Sequence, residues 1–212
     1  MNTIKASYVI ESEINGIELL KQIEKVGRTC YKSEDKITED SAIKFVTGLI
    51  TRGHEAMIEH NSISVRFICD RGVSHEIVRH RLASFGQEST RYCNYSNDKF
   101  SNQITVIEPY FTEKYSPQYL LWECACRHAE VSYFQLLEEG WKPQEARSVL
   151  PTCLKTEIVV TMNLREWRHF FKLRTPGTAH PQMRELTIPL LAEFKKLIPI
   201  IFDDIKLKEN DR

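Results

Sequence analysis

Strand-like runs recur among helical ones along this chain, and that mixture points to an α+β domain. Ser7 to Ile10 alternates in character, as does Ile63 to Ile68, and Ile104 to Ile107 is a further short run before Pro109. Lys155 to Met162 contains Ile158, Val159 and Val160, the most strand-like run in the chain. Helical spacing fills the intervals. Ile17, Leu20, Ile23 and Val26 keep it until Gly27, which offers a stop. A second helix is expected from Asp40 or Ser41 to Gly53, with Ile43, Val46, Leu49 and Ile50 on one side. Asp70-Arg71-Gly72 reads as a turn, Val73 to about Ala83 as helix, and Phe85-Gly86-Gln87 as an exit into a loop. Asn94 to Ser101 is polar and turn-rich.

Ser116-Pro117 starts a long amphipathic helix marked out by Leu120, Leu121, Cys124, His128, Val131, Phe134 and Leu137, with His128 read as a helix-face histidine, ending at Gly140. Pro143 opens a short helix carrying Arg147. Asn163 caps another through Leu173, and Pro181 begins the last, interrupted by Pro189. With neither repeats nor low-complexity stretches, residues 1–212 read as a single domain.

Between these elements lies an unusual concentration of donors. Arg79 to Tyr92 reads Arg-His-Arg-Leu-Ala-Ser-Phe-Gly-Gln-Glu-Ser-Thr-Arg-Tyr, with three arginines, a histidine and three aliphatic hydroxyls around Gly86. Guanidinium forks match phosphate oxygens, and Ser84, Ser89 and Thr90 add neutral hydrogen bonds that fix orientation, so the segment suits a phosphate and a flat heterocycle. A solvated helix face would interleave acids at helical spacing, and only Glu88 interrupts the run. A second constellation, Asn163, Arg165 and His169, places Arg165 and His169 four apart near a helix N-terminus, and Arg174 follows at that helix's end.

Several chemistries are disfavoured. Twenty-nine basic residues balance twenty-nine acidic ones, which argues against a nucleic-acid track. His75-Glu76 is followed by Arg79 where a zincin needs histidine, and His54 and His60 are six apart, so no metal site is expected. Neither GxGxxG after a strand nor GxxxxGK[ST] occurs, leaving phosphate to side chains. The six cysteines lack CxxC spacing and read as reduced thiols, with Cys153 the least implausible nucleophile. Without a signal-like start or an apolar run of spanning length, the expected setting is cytoplasmic, with no membrane partner.

Arg79-His80-Arg81, followed by seven intervening residues and then Ser89, resembles the RHR-x7-S signature of the flavin-dependent thymidylate synthases, the ThyX family. Gly53-His54 with Glu59-His60 is similar to the family's GH-x4-EH segment. Ala146 to Pro151, the series Asn163, Arg165, His169, Arg174, and His180 follow in the family's order. The resemblance implies a ThyX-like fold, α+β with a central mostly antiparallel sheet flanked by helices, in a homotetramer whose sites are shared between subunits. It implies reductive methylation of dUMP to dTMP, with methylenetetrahydrofolate as one-carbon donor and NADPH as reductant through FAD. By the motif match Arg79, His80, Arg81, Gln87, Asn163, Arg165 and His169 would contact FAD. Glu76 and Arg79 from one subunit would meet dUMP together with Gln87, Glu88, Ser89, Thr90, Arg91 and Arg147 from another, and Arg174 would activate the uracil ring electrostatically.

Three departures from the family's usual residues stand out: Gly86-Gln87 for Asn-Glu, Glu76 for glutamine, and Ala56 for a hydroxyl residue. The rival readings are a flavin- or nucleotide-binding sensor without turnover and a single-stranded nucleic-acid binder.

Overall fold

A computed structural model of the chain describes residues 1–97 and 100–207. In chain order its elements are β1 (Asn2–Ile4), β2 (Ser7–Ile10), α1 (Gly16–Thr29), α2 (Ser41–Thr51), β3 (Ser62–Asp70), α3 (Arg71–Ile77) and β4 (Ala83–Gln87). There follow β5 (Thr105–Ile107), α4 (Pro117–Glu138), α5 (Pro143–Ala146), β6 (Lys155–Asn163), α6 (Leu164–Arg174) and α7 (Pro181–Leu197). Short 3-10 turns occupy Glu34–Lys36, Glu55–His60 and Arg147–Val149. Among the described residues β1 and β5 pair in parallel, Asn2 opposite Thr105 and Ile4 opposite Ile107. A four-stranded, mostly antiparallel sheet runs in the order β2-β3-β6-β4. The α+β reading therefore holds.

The fold divides into two compact units, each entered more than once by the chain. The first comprises Met1–Ser7, Phe67–Arg79 and Phe85–Val159; the second comprises Tyr8–Arg66, His80–Ser84 and the chain from Val160 onward. In the first, Tyr95, Ile104, Val106, Cys126, Tyr133, Ala146 and Leu154 form a buried core. Ser116 caps α4 by accepting from the Tyr119 amide, with Pro117 at the first helical position, as the sequence leads one to expect. The second unit is built around an aromatic cluster. Trp167 lies 5.3 Å from both Phe170 and Phe194, and Phe171 lies 5.7 Å from Phe202, ring centre to ring centre. Trp167 Nε1 donates to the Ile63 carbonyl at 3.0 Å, which satisfies the indole inside the core.

Several local expectations are corrected. Gly27 does not stop α1: a Cβ there would stand 2.6 Å from Phe45 Cε1, so the glycine permits a close approach and the helix continues to Thr29. Asp70 is a cap, accepting from the Val73 amide at 2.6 Å, and helix follows β3 without a separate turn. That helix ends at Ile77, and the stretch containing Phe85, Gly86 and Gln87 is the edge strand β4 rather than a loop. An edge strand needs only backbone pairing on one side, so it carries no apolar alternation to announce it. Ile43 on α2 faces outward while Ala42, Val46 and Leu49 are buried.

The expected face of α4 holds only at its C-terminal end, where Phe134 and Leu137 pack against the core. Leu120, Leu121 and Val131 are 50%, 73% and 51% exposed, while Tyr119, Cys126 and Tyr133 are buried. These three recur every seventh residue, a narrow seam filled by two tyrosine rings and the small Cys126 side chain. The turn-rich reading of 94–101 holds where described; residues 98 and 99 lie outside the described residues.

Gly16 opens α1 against the carbonyl oxygen of Leu197, which a Cβ would overlap, with Pro199 Cδ 3.0 Å away. Because the obstacle is backbone, Gly16→Ala should destabilise the protein by about 1–3 kcal/mol, read as a lower denaturation midpoint with an unchanged m-value.

Candidate functional site

The nucleotide-side residues other than Arg174 lie in the first unit. Helix α3 carries Glu76, half-buried, and leads to Arg79, which is exposed. At the end of β4 the Gln87 amide donates to Ser74 Oγ at 2.9 Å and to Thr156 Oγ1 at 3.2 Å. The amide thus meets two hydroxyls, which gives the departure from glutamate a local rationale. Glu88 is held on three sides. Its amide donates to the Glu157 carbonyl at 2.9 Å, its carbonyl accepts from Arg71 Nη2 at 3.0 Å, and its carboxylate accepts from Lys155 Nζ at 3.1 Å. Burial works against the Lys155 charge, but Glu157 and Glu88 outweigh it and hold its pKa above the usual value.

The chain then turns tightly, with the Ser89 carbonyl accepting from the amides of Tyr92 and Cys93. Thr90 points inward and accepts from Arg147 Nη1 at 3.1 Å, which brings these two residues together. Arg91 points outward and lies over the Tyr92 ring at 5.4 Å.

The flavin-side residues other than Arg79 and Gln87, together with Arg174, belong to the second unit. Asn163 ends β6 and caps α6, its side-chain oxygen accepting from the Glu166 amide at 2.8 Å. One turn on, Arg165 is exposed and donates to Glu59 at 2.5 Å; His169, four residues later, is exposed on the same face. Arg81 is exposed next to His80.

His80 itself is buried, 4% accessible. Its Nδ1 lies 2.9 Å from Glu166 Oε1, and Arg174 Nε donates to its Nε2 at 3.2 Å. Guanidinium can only donate, so Nε2 must accept and the ring proton resides on Nδ1, donating to Glu166. Burial, reinforced by the Arg174 charge, pushes the His80 pKa down against the opposing pull of Glu166.

Beside α6 a cavity of about 750 Å³ opens between α1, α2 and the 55–60 turn. Its walls include Arg28, Lys36, Arg52 and Arg165, the rings of Tyr31 and Phe45, and Ala56. Cations and flat rings in one recess suit a diphosphate joined to heterocycles. Arg28 Nη2 is tied to buried Glu24 at 2.8 Å and stacks on Phe45 at 4.7 Å, which fixes one wall. Glu55, also in the lining, is anchored by accepting from Arg168 Nε at 2.9 Å.

The sequence reading missed Arg28, Lys36 and Arg52, which carry no motif, and it missed Glu166. An acid three residues after a capping asparagine reads as helix-start chemistry, which concealed the partner of His80. His80, Glu166 and His169 also bring three potential metal-ligating atoms within 4.8 Å of one another. Both nitrogens of His80 are already hydrogen-bonded, one of them to a cation, so that arrangement disfavours a metal.

A pH dependence follows from His80. Its ordinary pKa is 6.5 and the folded value is lower, so below that point the unfolded chain binds the extra proton first. Stability should be indifferent to this group above about pH 6.5 and fall as pH is lowered beneath it. Denaturation midpoints of wild type and His80→Asn, compared from about pH 8 to about pH 5, should diverge in slope only in the acid half.

Residues 17–200 match the family described as thymidylate synthase complementing protein. A flavin-dependent thymidylate synthase of Geobacter sulfurreducens is 33% identical over 184 residues, 84% of this chain and 78% of that protein. The one of Pyrococcus abyssi is 34% identical over 174 residues, 80% of this chain and 70% of that protein. In fold, the chain is similar to the UMP/dUMP methylase PolB from Streptomyces cacaoi, solved with 5-Br dUMP, at a TM-score of 0.77 and 20% identity over 96% of both chains. With a family match across most of its length and relatives above 30% identity, this chain belongs to the flavin-dependent thymidylate synthase family.

Proposed function

We propose that the chain is a FAD-dependent thymidylate synthase that converts dUMP to dTMP, taking a one-carbon unit from methylenetetrahydrofolate and reducing equivalents from NADPH. The observation that carries this reading is the loading of one helix. On α6, Arg165 and His169 share an exposed face, while at its C-terminal end Arg174 engages His80 of the RHR segment. Family membership supplies the context, and every arginine of the pattern is present: Arg79, Arg81, Arg91, Arg147, Arg165 and Arg174.

The donor set fits FAD. Arg28, Lys36, Arg52 and Arg165 would neutralise its diphosphate, with Tyr31 and Phe45 offering ring faces, and Ala56 could contribute only backbone contact. Arg79, His80, Arg81, Gln87, Asn163 and His169 complete the proposed cofactor set. Bound flavin supplies the hydride chemistry, which is why no activated cysteine is needed. The chain's own part is binding, orientation and electrostatics. Ser89 and Arg91 would take the nucleotide phosphate, with Thr90 buttressing Arg147 behind them. Glu76, Arg79, Gln87 and Glu88 would orient the rest of dUMP. Arg174 would favour negative charge developing on the uracil ring, raising the nucleophilicity of the carbon to be methylated. Residues 1–212 would act as one catalytic domain within a cytoplasmic homotetramer whose subunits share these sites.

Purified protein should be yellow, and mixing it with NADPH in a stopped-flow instrument should bleach the flavin faster when dUMP is present. Absence of bleaching with any nicotinamide donor would favour a non-catalytic sensor. Arg91→Ala should weaken dUMP binding by about 1.5–3 kcal/mol in calorimetric titration, the usual worth of a hydrogen bond to a charged group; unchanged affinity would place the phosphate elsewhere.

A further inference from the structure

We propose that Glu166 is a positioning residue for Arg174, acting through the buried ring of His80. The inference rests on the reading of Arg174 as the group that activates the uracil ring. Three observations carry it. Glu166 and His80 are both buried and 2.9 Å apart, His80 and Arg174 are 3.2 Å apart, and the two contacts use opposite nitrogens of one ring.

The chain of donors has a single polarity. Arg174 Nε gives its proton to Nε2, and Nδ1 gives its proton to the carboxylate. Each link fixes the next: the carboxylate selects the Nδ1–H tautomer, that tautomer turns a lone pair toward Arg174, and the bond at Nε sets the plane of the guanidinium. Setting the plane sets where the two terminal nitrogens point, because guanidinium is rigid and flat.

Other packing secures the ends of this relay. The Asn163 cap fixes the backbone beneath Glu166, the Phe170 ring stands edge-on to His80 at 5.0 Å, and the Arg174 carbonyl accepts from Thr187 Oγ1 at 2.8 Å. With the carboxylate removed, the ring can move its proton to Nε2 and present a donor to a donor. Arg174 then loses its contact at Nε.

This is the second-layer logic by which a carboxylate orients a histidine ligand, here applied to an arginine. It also gives Glu166 a role that its place near a helix start does not require. Asn163 alone satisfies the capping contact, and the Glu166 side chain is directed to His80 instead.

The test is a double-mutant cycle on the FAD-loaded enzyme with Glu166→Leu, Arg174→Ala and the pair. Glu166→Leu should keep flavin absorbance and lower kcat for dTMP formation by about 10- to 100-fold, the usual cost of a misaimed catalytic group. In the Arg174→Ala background the same change should cost less than about twofold, because the two residues act as one unit. Glu166→Gln, which can still accept from Nδ1–H, should recover activity to within about threefold of wild type. Multiplying losses in the double variant, or a Glu166→Gln as poor as Glu166→Leu, would overturn the relay. Should Glu166→Leu not fold, Glu166→Asp keeps the charge while shortening the reach, and its loss should likewise vanish without Arg174.

A readout independent of turnover separates this proposal from the function it rests on. The Arg174 Nε–H resonance, assigned by its disappearance in Arg174→Ala, should exchange slowly with solvent in wild type and Glu166→Gln and quickly in Glu166→Leu or Glu166→Asp. A wild-type protein that makes no dTMP yet shows this pattern would refute the enzymatic reading and keep the relay. An Nε–H unaffected by Glu166→Leu or Glu166→Asp would refute the relay whatever the activity.

Discussion

Helix α6 is held by one buried contact on which much else in its unit depends. Trp167 fills the aromatic cluster and spends its only polar atom on the Ile63 carbonyl, so the helix can neither rotate nor slide without leaving an indole N–H unsatisfied in the core. With that face fixed, the helical period assigns the others. Arg165 and His169 must look outward, Glu166 and Phe170 must look toward His80, and Arg174 must arrive one turn after Phe170.

Arg168 shows how a charge is buried in this unit when it is paired on several sides. Arg168 is 2% accessible and donates to both carboxylate oxygens of Asp204, to Glu55, and to the carbonyl of Ile201. Burial opposes its charge, but Asp204 and Glu55 outweigh that cost, and Arg168 in turn holds the Asp204 carboxyl below its usual pKa. The same Glu55 stands at the head of the turn that walls the cavity. A structural ion network and a candidate cofactor recess thereby share a residue, and weakening one should loosen the other. His80 follows a different rule: it stays neutral and is satisfied through both nitrogens, which suits a group that transmits orientation rather than charge.

Much of this was legible in the residues because it depends on short-range chemistry. Asn163 and Ser116 announced their helices through capping and Pro117 through its fixed φ, while Arg79, Arg91, Arg147 and Arg174 stood out through their types and spacing. Where pairing is long-range, the signal failed. Strand β4 pairs at a sheet edge with a polar sequence, so nothing in Ala83–Gln87 distinguishes it from a loop. Gly27 looks like a helix stop until Phe45 is seen against it, and the buried seam of α4 turned on two tyrosines and a cysteine rather than on its first leucines.

What the sequence determined alone is therefore the α+β class, the family, and the identities of the residues able to grip a phosphate or polarise a ring. Those are properties of side-chain chemistry and local period, which one strand of residues carries within itself. Only the tertiary structure decided that Glu166 faces His80, that Arg28, Lys36 and Arg52 line a recess with Arg165, and that Gln87 is clasped by two hydroxyls. Each of these joins segments far apart in the chain, and no local pattern specifies a partner whose position is set by packing elsewhere.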